Sequence, residues 1–231
     1  MGKEVPKDDE IILVVNKDAL FGKDNRDHFQ GFRPLDAVDY ESRILGNVQY
    51  IRRGDTERDD LHNLRPDLKQ PIAYLLVLNP SSRIFVYQRA KATKQNVDVR
   101  LAHKFSWGAG GHIAKTDEGH PIHSSKAREL SKELGISPSD VNRFDVLGYI
   151  NDDSDSVGKD HFGILYAAHV KVDVVHPQKD ELKVSAFLQL GDLEKMLHVE
   201  QLFPGTYEIE NWSRIAFGPL KKYFEERRLG V

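Results

Sequence analysis

Gly110-Gly111-His112-Ile113, followed after a polar insertion by Arg128-Glu129-Leu130-Ser131-Lys132-Glu133-Leu134-Gly135-Ile136, is the stretch whose reading decides the fold. The glycine pair follows Lys104-Phe105-Ser106-Trp107 and opens onto a segment with helical spacing. At about 3.6 residues per turn, residues 124–134 put Ala127, Leu130 and Leu134 on one face. Glu129, Lys132 and Glu133 fall on another, at i, i+3 and i+4. Gly135 is placed to stop the helix, with Ile136 making the apolar contact after it. Ser124 or Ser125 is the expected N-cap. Carboxylates on a packed helix are preorganised hard-oxygen ligands, which suits magnesium bound together with phosphates. Glycines ahead of the helix let backbone groups approach an anion or a metal closely. Glu–Lys–Glu at this spacing also marks any solvated amphipathic helix, so the glycine pair and the surrounding wording carry the functional reading.

Outward from that stretch, strands surround the helix. Ile72–Leu78 reads as a buried strand, Asn79-Pro80-Ser81-Ser82 as a turn, and Ile84–Tyr87 as the hairpin partner. Phe144–Ile150 and Phe162–Val170 read as two further strands around an acidic loop, and Val184–Leu188 as a shorter one. Ile209, Trp212, Ile215, Ala216, Leu220, Tyr223 and Phe224 recur at helical spacing, with a kink or break expected at Pro219. Before all of these, Ile11–Val15 is an apolar run expected to pair with or pack on the core, since it would otherwise leave an apolar patch in water. Residues 20–70 read as a loop-rich, charged extension with one helix near 36–45. The expected fold class is α+β, an α/β/α sandwich around a mixed sheet, with residues 1–70 as an N-terminal extension packed on a domain of residues 71–231.

At 231 residues, 39% hydrophobic and 30% charged, the chain can bury a substantial core. A net charge of −3 and a pI near 6.4 give no global attraction for nucleic acid or anionic membrane. With no cysteine, disulfides, thiolate metal sites and cysteine nucleophiles are excluded. The start of the chain has no apolar leader segment, Pro6 spoils a myristoylation pattern, and the apolar runs are too short to span a bilayer. A cytoplasmic location is the expectation.

Residues 110–136 resemble the box of the Nudix family: glycine, five residues, glutamate, seven residues, then Arg-Glu-apolar-x-Glu-Glu-x-Gly-apolar. Arg128, Glu129, Leu130, Glu133, Gly135 and Ile136 match, and the surrounding strands extend the resemblance over roughly residues 70–230. The wording around Gly-Gly-His-Ile is similar to the branch described as predicted phosphoesterases. The resemblance implies a metal-dependent hydrolase of a diphosphate linkage in a nucleoside diphosphate derivative or related phosphoester. It makes Glu129 and Glu133 ligands of Mg2+ or Mn2+, with the Gly110 carbonyl as a further one. Arg128 would orient the glutamates, and Arg89, Gly111 and Lys132 are the candidates to touch the substrate. A small-molecule diphosphate is the expected partner, with no nucleic acid or membrane, and a homodimer is a candidate assembly.

Two departures from the pattern matter. Three extra residues separate Gly111 from Arg128, so the box glutamate has no direct counterpart; Asp117 and Glu118 are the acids in that gap, and His120 takes the nominal position. Lys132 also replaces the first glutamate of the Glu-Glu pair, removing a ligand and changing the local charge by two units. The second reading is therefore a catalytically inactive Nudix-fold protein that binds a ligand or regulates. A third, isopentenyl diphosphate isomerase, is expected to need a cysteine. Asp152–Gly158 begins like a calcium loop, but Ile164 stands where the closing glutamate belongs, so a solvated turn is expected. Glu181 is a further candidate acid, and most histidines are expected in structural or surface roles.

Overall fold

The computed structural model describes residues 6–57, 64–91, 100–176 and 182–229. In chain order its elements are β1 (Ile11–Asn16), α1 (Lys17–Phe21), β2 (Gly31–Arg33), α2 (Tyr40–Gly46), β3 (Gln49–Arg52), β4 (Leu68–Leu78), β5 (Ile84–Arg89), β6 (Phe105–Ser106) and α3 (Pro121–Leu134). After these come β7 (Val141–Asn151), α4 (Ser156–Asp160), β8 (His161–Val170), β9 (Leu182–Leu188), α5 (Leu190–Leu202) and α6 (Asn211–Leu229).

The organising strand is β4, buried along its whole length. It runs parallel to β8 from Gln70↔His161 to Leu78↔His169 and antiparallel to β1 and β5 at its two ends. With β7 antiparallel to β8, the sheet is mixed, as expected for an α+β fold. Side chains alternate across a strand, so β4 feeds two cores. Ala73, Leu75 and Val77 join Leu130 and Leu134 of α3 on one face, while Tyr74, Leu76 and Leu78 join Leu193 of α5 and Leu220 of α6 on the other. Helices therefore cover both faces.

Within the N-terminal part, β1 is interior: Ile12, Leu13, Val14 and Val15 are all 0% exposed, and the strand pairs with both β3 and β4. Residues 20–70 hold more regular structure than their charge suggests: the expected helix is present as α2, joined by β2 on β7 and β3 on β1.

Other details differ from the sequence reading. α3 starts at Pro121 with His120 as N-cap, four residues ahead of Ser124 and five ahead of Ser125, the expected caps. Proline fits the first helical position because the amide it lacks has no partner there. Both serines lie inside the helix, where Ser125 Oγ donates to the Ile122 carbonyl. α6 runs unbroken through Pro219. The acidic segment before β8 is no solvated turn: Asp152 is 2% exposed, and Asp155 caps α4 by accepting from the Gly158 amide at 2.8 Å. The nearby Lys69, fully buried, donates to Asp153 at 2.7 Å and to the Gly158 carbonyl at 2.8 Å. No helix among the described residues is long and apolar enough to cross a membrane.

Candidate active site

Segment 109–115 lies between β4 and β1 and acts as their splint. Ala109 and Leu75 exchange both backbone hydrogen bonds, at 3.0 and 2.7 Å, and His112 bridges to Ile72. Further along, the Ile113 carbonyl accepts from Leu13 at 2.8 Å and the Lys115 amide donates to Ile11 at 2.9 Å. The two glycines are needed for space. A Cβ on Gly110 would stand 2.4 Å from the Ala73 carbonyl oxygen, and one on Gly111 would stand 2.4 Å from Glu129 Oε2. The floor of the glycine loop is thus closed by β4 and its roof by a carboxylate of α3.

The helix is held in place at both ends of the box. At its C-terminus Gly135 is left-handed (φ 66°), and the Ile136 amide returns to the Leu130 carbonyl at 3.2 Å. Only a residue without a Cβ adopts that turn cheaply. Leu130 and Leu134 are 0% and 1% exposed, as the periodicity predicts. Arg128 then ties the helix to the loop. It donates from Nε and Nη2 to Asp117 at 2.7 and 2.8 Å, from Nη2 to the His112 carbonyl at 2.8 Å, and from Nη1 to Glu129. Asp117, 6% exposed, accepts the Ala114 amide at 2.8 Å as well, so the acid in the insertion serves as the anchor of Arg128.

Glu129 is 3% exposed. Burial pushes its carboxyl above the usual glutamate range; the Arg128 guanidinium opposes that shift and the like charge of Glu133, one turn on, adds to it. A buried carboxylate beside a second one is the electrostatic situation a divalent cation relieves. Lys132 points toward the N-terminal segment, its Nζ 3.8 Å from Glu10 Oε1, and Glu10 in turn lies 4.0 Å from Arg53. Glu10, at the edge of β1, is an acid near the box that the sequence reading missed. Arg89 is turned to Glu210, to which its Nε donates, and its guanidinium lies 5.4 Å from the centre of the Tyr87 ring. The structure therefore brings Gly110, Gly111, Arg128, Glu129 and Glu133 together and engages Arg89 with the segment leading into α6. Glu181 lies outside the described residues.

The donor set fits a hard divalent ion. Glu129 and Glu133 offer carboxylate oxygens and Gly110 a carbonyl, the oxygen donors that such an ion takes. Two groups of mixed chemistry also occur among the described residues: Glu41 with His120 and His123, and Glu57 with His112 and His161. The nominal box position is thus occupied by a histidine, His120, that stacks on His123 with ring centres 3.9 Å apart. A separate apolar groove of about 430 Å3 opens beside β9, lined among others by Tyr87, Phe105, Val184, Met196 and Tyr207.

Over 196 residues the chain is 36% identical to "Protein YmaB" of Bacillus subtilis (strain 168), covering 82% of this chain and 90% of that protein. No family model matches it. Its fold is similar to the crystal structure of Tm1382, provisionally assigned as a Nudix hydrolase, with TM-score 0.71 and 22% identity over 93% of this chain and 100% of that one. It is also similar to DR0079 from Deinococcus radiodurans, with TM-score 0.54 and 12% identity over 92% and 98% of the two chains.

Proposed function

The chain belongs to the family of Bacillus subtilis YmaB and has the Nudix hydrolase fold, and on that premise we propose that it is a metal-dependent hydrolase of a diphosphate linkage in a nucleoside diphosphate derivative or related phosphoester. The single observation that carries this reading is the Glu129 carboxylate. It is buried against Gly111, held by Arg128 and set beside Glu133. A charge is not buried like that for stability alone, because desolvation outweighs what its partner returns.

Glu129, Glu133 and the Gly110 carbonyl would hold Mg2+ or Mn2+. Bound there, the ion supplies Lewis acidity toward a phosphoryl oxygen and a more acidic water. This chain's own residues do the rest. Arg128, fixed by Asp117 and the His112 carbonyl, keeps the Glu129 carboxylate turned to the loop. Gly111, without a side chain, leaves a phosphate room to approach the backbone. The Lys132 ammonium lies one helical step from Glu133 and would meet a substrate phosphate by charge. Arg89, countered by Glu210, would act at the periphery by bounding the space beside Tyr87.

Lys132 in the place of a carboxylate favours the second reading, a Nudix-fold protein that binds a ligand without turnover. A screen of nucleoside diphosphate derivatives with Mg2+ and Mn2+, following phosphate release, separates the two. Turnover that disappears in Glu133→Gln supports hydrolysis; ligand binding without turnover for any compound supports the second reading.

A further inference from the structure

Beyond the box, three segments far apart in sequence meet at one buried point. Glu57, 4% exposed, follows the turn after β3; His112 follows the glycine pair; His161, 6% exposed, opens β8. His112 Nε2 lies 3.2 Å from His161 Nε2 and 3.7 Å from Glu57 Oε1, and His161 Nε2 lies 4.0 Å from Glu57 Oε1. For a tetrahedral zinc with bonds of about 2.0–2.1 Å, neighbouring ligand atoms stand about 3.3–3.5 Å apart. The three observed edges bracket that length.

The surrounding hydrogen bonds set the ligand atoms. His161 Nδ1 lies 2.6 Å from the Val157 carbonyl, which can only accept. Nδ1 therefore carries the proton, and the Nε2 lone pair faces the cluster, as in the outer shells of metal-bound histidines. Neutral imidazole is the ligating form, and His112 brings its Nε2 to the point where the three segments meet. Glu57 Oε1 accepts from Arg53 at 2.9 Å and Oε2 accepts from Arg100 at 3.1 Å. Its orientation is thus fixed by the two guanidiniums, with Oε1, the oxygen that faces the imidazoles, shared with Arg53. Gln70 Oε1, 2.5 Å from His112 Nε2, accepts from it, so an ion that takes this nitrogen shifts the proton to Nδ1 and leaves Gln70 to accept from a water at the fourth position.

We propose that Glu57, His112 and His161 form a second, separate cation site that takes a borderline transition metal of the zinc class, with water in the fourth position and Gln70 accepting from that water. Imidazole and carboxylate donors at this spacing suit zinc or cobalt, in contrast to the all-oxygen donors of the box. The two guanidiniums on Glu57 compete for its charge, so binding is of moderate strength. The assignment does not rest on diphosphate hydrolysis. The ion would bind the glycine loop, β8 and the N-terminal segment together. Through Arg53 and Glu10 the site is connected to Lys132.

The test uses the full chain stripped with a chelator and titrated with Zn2+, and separately with Co2+ followed by its visible absorption. Wild type is expected to bind about one ion with the intense spectrum of four-coordinate cobalt. His161→Ala and Glu57→Gln should each weaken binding by roughly tenfold or more. The Glu129→Gln/Glu133→Gln double variant should keep the cobalt spectrum, which separates this site from the box. Glu57→Gln preserves size and changes a residue outside every strand and helix, so it carries the test if His161→Ala does not fold. A wild type that binds no zinc, a six-coordinate cobalt spectrum, or equal binding by wild type and Glu57→Gln overturns the proposal.

Discussion

The glycine loop with α3 and the Glu57–His112–His161 cluster are both buried, both charged and joined at one residue, yet they are built in opposite ways. In the first, the side-chain contacts that hold the helix to the loop are local: Arg128 reaches its neighbour Glu129 and an acid 11 positions away. In the second, the contacts of His112 to Gln70 and His161 span 42 and 49 positions. A local site forms with its helix; a distant one exists only once β1, β4 and β8 have assembled. The difference teaches which residues should couple chemistry to folding: those of the cluster and of β1, more than those of the box.

The largest effect expected from that contrast lies in β1. Leu13→Ala should cost about 2–5 kcal/mol, the usual range for a large-to-small change in a packed core, since Leu13 is 0% exposed. Ile11→Ala, at an exposed position of the same strand, should stay within about 0.5 kcal/mol. Urea unfolding of both variants checks this; equal costs would mean that β1 is peripheral to the core.

Next comes the box itself, where function and stability should part. Glu129→Gln should lower diphosphate turnover by roughly a hundredfold or more and raise the thermal midpoint. The sign follows from the raised carboxyl pKa: its stabilising contribution is full below the unfolded value and is lost as pH rises through the folded one, so the ionised group costs stability at neutral pH. A midpoint that falls in scanning calorimetry would show that the carboxylate is there to stabilise the fold.

Lys126, on the sheet-facing side of α3, gives a smaller, pH-dependent effect. It is 5% exposed, lies over the Phe144 and Tyr166 rings at 4.7 and 4.1 Å, and its pKa is lowered by burial to about 8. Between that value and 10.5 the unfolded chain binds more protons, so wild type gains stability as pH rises. The advantage of Lys126→Met over wild type in urea unfolding should therefore be larger at pH 7 than at pH 9.5. An advantage that does not change would place the ammonium in water.

How much of this the sequence discloses follows the same division. The α3 periodicity, its Gly135 stop and the buried β1 run are legible because each is written within a few residues. The pairing of Asp117 with Arg128 is only half legible: the acid stands in the gap, but its role depends on how the insertion folds. α5 is not among the expected elements, although Gln189 and Asp192 form a capping box, a local signal. Glu10 facing Lys132, Glu210 facing Arg89 and the meeting of Glu57 with two histidines are tertiary facts that no spacing encodes. The start of α3 at Pro121 shows a smaller failure of the same kind: serine is a common N-cap, but proline at the first turn was the stronger mark.

The central claim is that the Glu129–Glu133 face of α3 is a divalent-metal site weakened by Lys132. Calorimetric titration of Mn2+ into wild type, Glu133→Gln and Lys132→Glu tests it directly. The account predicts an order of affinity with Lys132→Glu tightest, wild type next and Glu133→Gln weakest, with the steps largest at low ionic strength. Three equal affinities, or a weaker Lys132→Glu, would contradict it.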